Sequence, residues 1–127
     1  MNRAIIGLGS NIDPHQNIQR AKETLARKFR FVSESSFKWT KPVSEIRQDD
    51  FINGAVLIET KLSIEQLKNT LKEIEANIGR VETDNREGPR MIDLDIVVWN
   101  ETIVDPNFYE RDFLKESVLE LTPNLKY

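Results

Sequence analysis

Arg86-Glu87-Gly88-Pro89-Arg90-Met91-Ile92-Asp93-Leu94-Asp95-Ile96-Val97-Val98-Trp99 begins as a charged loop broken by Gly-Pro and ends as an apolar strand. From Met91 the residues alternate. A strand here sends Ile92, Leu94, Ile96 and Val98 to one face and Asp93, Asp95 and Val97 to the other. The first set makes a core face. The second places two carboxylates side by side, roughly 6.5–7 Å apart at Cα from the rise of a strand. Aspartate suits strands poorly, and like charges on one face repel, so the pair calls for compensation. A divalent cation or neighbouring arginines would supply it. Mg²⁺ is commonly held by one or two carboxylates together with substrate phosphates. Arg80, Arg86 and Arg90 lie just upstream, and guanidinium groups grip phosphate oxygens in pairs. Paired carboxylates beside arginines point to phosphoryl transfer; the competing reading is a solvated strand face crossed by surface salt bridges.

Upstream of the charged run Arg80 to Arg90, Ser63-Ile64-Glu65-Gln66 forms a capping box. Ile64, Leu67, Leu71, Ile74 and Ile78 follow at helical spacing, and Gly79 is a natural stop. Glu75 falls at the margin of that face, and by itself reads as an exposed helical glutamate. Phe51 to Thr60 reads as a strand, and so does the long run Phe29 to Thr40, where Phe29, Phe31, Phe37 and Trp39 share one parity. The connection Lys41 to Asp50 is long for a hairpin, which favours a functional loop. Arg3 to Leu8 reads as a buried first strand ending in Gly9-Ser10-Asn11, where turn chemistry explains the Gly and Asn. Asp13-Pro14 then opens a helix that ends near Arg27 or Lys28, with Asp13 as cap and Ile18, Ala21 and Leu25 on its apolar face. Downstream, Thr102 to Val104 follows a turn, and a short helix before Pro123 is expected. His15 lies in a first helical turn without partners and carries no catalytic expectation.

The order strand, helix, strand, strand, helix, strand predicts one α+β domain over residues 1–127, a ferredoxin-like βαββαβ sandwich. Its antiparallel sheet would carry both helices on one face and leave the other free for Asp93 and Asp95. A chain of 127 residues buries a core without staples. The net charge of −3 argues against a general nucleic-acid binder. The absence of cysteine removes disulfides, a thiol nucleophile and a Cys-ligated zinc site. No run is long enough for a membrane span and no signal peptide is evident, so a cytoplasmic protein is expected, with a monomer as the default state.

Gly88-Pro89-Arg90-x-x-Asp93-Leu94-Asp95-Ile96 closely resembles the signature of the 6-hydroxymethyl-7,8-dihydropterin pyrophosphokinase family of folate synthesis, and the likeness covers nearly the whole chain. The Gly9-Ser10-Asn11 junction and the pattern Thr40-x-Pro42 … Phe51-x-Asn53 are similar to further family segments. The resemblance implies that diphosphate passes from ATP, the co-substrate, to the hydroxymethyl dihydropterin, with release of AMP. It implies two Mg²⁺ held by Asp93 and Asp95, with Arg80 and Arg90 gripping phosphates in catalysis. It implies a pterin pocket of Gly9, Thr40, Pro42, Phe51, Asn53 and Phe113. It implies nucleotide contacts from Glu75, Arg86, Arg90, Ile96 and Arg111. The chain departs from the pattern at Glu82 and Glu87, where the family often places Arg and an aromatic, at Val43-Ser44-Glu45, and in a shortened segment before Arg111. Two other readings follow: a non-catalytic pterin- or nucleotide-binding relative, and a pyrophosphokinase for another hydroxymethyl heterocycle.

Overall fold

The computed structural model describes residues 1–43, 45–79 and 91–127. The elements run β1 (Asn2–Ser10), α1 (Pro14–Lys28), β2 (Arg30–Glu34), β3 (Lys38–Thr40), β4 (Phe51–Thr60), α2 (Ile64–Ile78), β5 (Asp93–Trp99), β6 (Thr102–Ile103), α3 (Asn107–Glu110) and α4 (Asp112–Leu121). The sheet is antiparallel throughout, in the order β2-β4-β1-β5-β6, with β3 also paired to β4. This is the expected ferredoxin-like arrangement, with β1 in the middle.

α2 forms as its sequence dictates. Ser63 Oγ accepts from Gln66 N (3.2 Å), Gln66 Oε1 accepts from Ser63 N (2.9 Å), and Gly79 closes the helix at φ 99°. α1 starts differently from expectation. Asp13 makes no side-chain cap and sits in the left-handed region at φ 41°. The turn is held instead through the Ile12 carbonyl, which accepts from Asn17 Nδ2 (2.6 Å) and Ser10 Oγ (3.0 Å). The left-handed residue of this junction is thus Asp13; Gly9 lies within β1 and needs no positive φ.

α1 and α2 cover one sheet face. Ile6 and Leu8, Val56 and Ile58, and Leu94 and Ile96 meet Ile18, Leu25, Leu67 and Ile74 there. The opposite face is not free, as the strand order had suggested. Ile5, Ala55, Leu57, Val97 and Val98 form a second cluster with Phe108 of α3 and Val118 of α4. α4 is also tied to the sheet edge, where Glu120 Oε1 accepts from Ser36 N and Ser36 Oγ, both at 3.0 Å.

Besides a register shift between Phe31 and Ser33 in β2, two breaks in alternation were not foreseen. Pairing shifts between Ile5 and Ile6: Ile6 faces Ile96, but Ile5 faces Val98, so Val97 is an extra residue. The bulge turns Val98 into the second cluster beside Val97 and returns Trp99 to the first. The long second strand is split into β2 and β3. At the split Ser35 N donates to Ala55 O, and Ser35 Oγ accepts from Ala55 N, both at 2.9 Å. A serine side chain thereby replaces a carbonyl of the ladder. Beyond the split Phe37 lies against Gly54, where a Cβ would meet its ring at 2.5 Å, and Trp39 is 59% exposed, edge-on to His15 at 5.7 Å.

The two helix starts give a contrast in stability. Ser63→Ala should cost about 1 kcal/mol, because it removes a made cap. Asp13→Gly should cost nothing measurable, since glycine is at ease in the left-handed region that Asp13 occupies. Urea unfolding midpoints measure both.

Candidate active site

β1 alternates Leu8, directed into the core, with Gly7 and Gly9, which leave the opposite face bare. Gly9 is paired with Asn53 of β4 on one side and Asp93 of β5 on the other; Gly7 is paired with Ala55 and Asp95. The carboxylates and the Asn53 carboxamide therefore flank a floor of main chain. The floor cannot take a methyl group at Gly9, where a Cβ would come 2.5 Å from Asn53 Oδ1.

A cavity of about 180 Å³ stands on this floor. Thr40, Pro42, Phe51 and Asn53 form one wall; Arg111, Phe113, Leu114 and Ser117 form the facing wall. Asp93 and Asp95 line it from β5, half-buried and exposed respectively. Asn53 Nδ2 donates a short hydrogen bond to Thr40 Oγ1, which holds the amide with Oδ1 towards Gly9. The loop before β4 is fastened to the end of β1, where Asn11 Nδ2 donates to Gln48 Oε1 (2.8 Å) and to the Asp49 carbonyl (3.1 Å). The facing wall is set by α3 and α4, where the Arg111 carbonyl accepts from Leu114 N and Lys115 N, both at 3.1 Å.

Of the residues expected at the site, Gly9, Thr40, Pro42, Phe51, Asn53, Asp93, Asp95, Arg111 and Phe113 line this one cavity. Ile96 lies on the other face, within the core beneath α2. Glu75 is not an exposed helical glutamate. It is 5% exposed, and its Oε2 accepts from Leu94 N at 2.8 Å. Arg80, Arg86 and Arg90, with Glu82 and Glu87, lie outside the described residues, as does Ser44. Sequence reasoning missed Gly7, Asn107, Leu114 and Ser117 as lining residues. Gly7 was accessible, because it lies two positions before Gly9 on the same strand face. Asn107 carried a weaker sign: Asp105-Pro106 opens α3, with Asp105 Oδ1 accepting from Asn107 N at 2.9 Å.

Asp93 and Asp95 are the residues suited to a metal. Among the described residues no group of three or more His, Cys, Asp or Glu side chains gathers as a ready cation cage. An oxygen-only pair facing a cavity suits a hard cation such as Mg²⁺, which leaves part of its shell to substrate phosphates and water.

An acidic pair beside a small-molecule cavity on a ferredoxin-like sheet defines a class, an α+β domain equipped to bind a charged co-substrate next to a compact organic one. The chain belongs to the 7,8-dihydro-6-hydroxymethylpterin-pyrophosphokinase (HPPK) family, whose model matches residues 5–123. It is 38% identical over 136 residues to the 2-amino-4-hydroxy-6-hydroxymethyldihydropteridine pyrophosphokinase of Methylorubrum extorquens, an alignment covering 98% of this chain and 85% of that protein. The Pseudomonas aeruginosa protein of the same name is 33% identical over 135 residues, covering 98% and 83%. A folic acid synthesis protein, FOL1 of Dictyostelium discoideum, is 35% identical over 133 residues; the match takes in 97% of this chain but 20% of that longer protein.

The glycine floor makes a direct prediction. Gly9→Ala should dislodge the Asn53 amide from Thr40 and destabilise the fold by about 1–3 kcal/mol, as overpacking does. Gly7→Ala should stay within about 1 kcal/mol, since its Cβ would meet Leu114 Cδ1 and Val97 Cγ2 at an accommodating 3.4 Å. Urea unfolding and the Asn53 side-chain amide resonances report both.

Proposed function

We propose that this protein transfers the terminal diphosphate of ATP to the hydroxymethyl oxygen of 6-hydroxymethyl-7,8-dihydropterin and releases AMP, a step of folate biosynthesis. The observation that carries this reading is the placement of Asp93 and Asp95 on the same glycine floor as Asn53, Phe51 and Phe113. A cation-bound triphosphate and a flat heterocycle are the two things such a floor accommodates side by side.

The heterocycle lies on Gly7 and Gly9, packed by Phe51 and Phe113. Asn53 Oδ1 accepts from a ring N–H, and Thr40 keeps the amide in that orientation. A half-buried amide used in this way disfavours heterocycles that leave it unpaired. Asp93 and Asp95 would hold two Mg²⁺, and these would supply charge neutralisation for the triphosphate. Arg111, on the facing wall, would contact phosphate oxygens; the family resemblance assigns the same task to Arg80, Arg86 and Arg90. In the reaction the hydroxymethyl oxygen bonds to the β-phosphorus. The bond from that phosphorus to the α–β bridging oxygen breaks, AMP leaves with the oxygen, and the hydroxyl proton passes to solvent. The protein's work is positioning and charge stabilisation rather than covalent chemistry. On this reading the protein works where ATP and the pterin are both present, and the cytoplasm is the compartment we propose.

A coupled assay for AMP, with Mg-ATP and the dihydropterin, tests the reading. AMP formation that depends on the pterin is expected; pterin binding without AMP would leave a binding module in its place. Asp95→Ala should lower kcat by roughly 10³-fold with little change in Tm, because Asp95 is exposed. Arg80→Ala should lower kcat by roughly 10²-fold with the fold intact.

A further inference from the structure

We propose that Glu75 is a positioning residue, whose buried carboxylate fixes the peptide between Asp93 and Leu94 and thereby aims both aspartates of the site. The inference rests on the acidic pair holding the cation-bound triphosphate.

Glu75 lies in α2 among Leu71, Ile74 and Ile78, on the face turned to the sheet. It is 5% exposed and does not line the cavity. Packing alone would favour an aliphatic residue there, because a carboxylate is costly to take out of water. The charge meets main chain on β5, where Glu75 Oε2 accepts a hydrogen bond from Leu94 N at 2.8 Å. A hydrogen bond to an ionised acceptor is stronger than one between neutral groups.

The position of that N–H is what matters. It belongs to the peptide that joins Asp93 to Leu94, and Leu94 is the one residue between the two aspartates. Asp93 and Asp95 are held on the inner side of β5 by pairing with Gly9 and Gly7. On the outer side, β6 reaches only Val98 and Trp99, so among the described residues no strand covers β5 at Leu94. A strand with one bare edge is free to twist and fray at its end. Glu75 supplies the acceptor that a neighbouring strand would have supplied, from a helix capped at both ends. Fixing this peptide plane fixes ψ of Asp93 and φ of Leu94. Those are two of the four φ and ψ torsions between the Cα atoms of Asp93 and Asp95, and so bear directly on how the two carboxylates are aimed relative to each other.

A nucleotide contact by Glu75 makes different predictions. It acts through the charge and appears in KM for ATP; the positioning role acts through an acceptor oxygen and appears in cation binding and kcat. Glu75→Gln keeps an acceptor oxygen and removes the charge, whereas Glu75→Leu removes both. Three readouts are taken on each full-length variant: amide exchange at Leu94 in the ligand-free protein, Mn²⁺ binding with a non-hydrolysable ATP analogue, and steady-state kcat and KM. In Glu75→Leu, the Leu94 amide should exchange at least ~10-fold faster, and Mn²⁺ affinity and kcat should fall about 10–100-fold, with KM for ATP nearly unchanged. Glu75→Gln should restore all three to within roughly 5-fold of the parent. If Glu75→Leu does not fold, Glu75→Asp, one methylene short of Leu94, takes its place with the same expectation.

Equal loss in the Gln and Leu variants, with Leu94 exchange unchanged in both, would overturn the proposal. A raised KM for ATP at unchanged kcat would do the same. Failure of the functional reading itself looks different. The parent would then make no AMP and bind no Mn²⁺ with the analogue, while Leu94 exchange still reported whether the clamp exists.

Discussion

The site depends on the close approach of Asn53 to Gly9 across the β1–β4 ladder. The carboxamide oxygen occupies the space of an absent side chain. Any other residue at Gly9 pushes the amide away, and the amide is what fixes Thr40 and the entry to β4. The same strand supplies the hydrophobic middle of the domain, because Ile6 and Leu8 point the other way into the layer beneath α1 and α2. One strand thus serves stability on one face and a side-chain-free surface on the other. The period of two that separates these tasks is a property of the extended backbone.

The bulge at Val97 and the packing of α4 belong to the same arrangement. A regular β5 would have sent Val98 into the layer below the helices. The extra residue instead places Val97 and Val98 together on the site face, next to Phe108 and Val118. This apolar seat holds α4, and α4 brings Phe113 and Leu114 over the cavity. Leu114 then lies close enough to touch any side chain at Gly7, so the absence of one lets the helix settle low over the sheet. The acidic end of β5 and its apolar end consequently have separate tasks on one face, with the bulge marking the change between them.

Much of this was legible in the residues. α2 was readable in full because cap, periodicity and stop all agreed, and β4 because its ends were marked by a charged loop and by Lys61 to Ser63. The signature strand gave the two carboxylates and their face from alternation alone. Other features depended on contacts that pattern does not encode. Ser35 breaks the second strand only because Ala55 lies opposite to donate to its hydroxyl. The fate of Val98 turns on how β1 pairs with β5, not on its own neighbours in sequence. Glu75 resembled a surface glutamate because the Leu94 N–H on β5 that it accepts from is nineteen positions away. Asp13 looked like a cap, yet the turn closed through Asn17 and Ser10 on one carbonyl.

The sheet register also bears on which substrate fits. Gly9 is paired with Asn53 on one side and with Asp93 on the other, so the Cα atoms of these two residues stand two strand spacings apart, roughly 9.5–10 Å. The Asn53 amide leans back over Gly9, so its oxygen lies above β1 rather than above its own strand. On the proposed reading, a flat substrate lies across β1 with its ring N–H groups at the Asn53 end and its hydroxymethyl oxygen at the Asp93 end. Main-chain pairing of three adjacent strands fixes where the two residues are rooted, and the Asn53 rotamer, held by Thr40, sets the reach that remains between them.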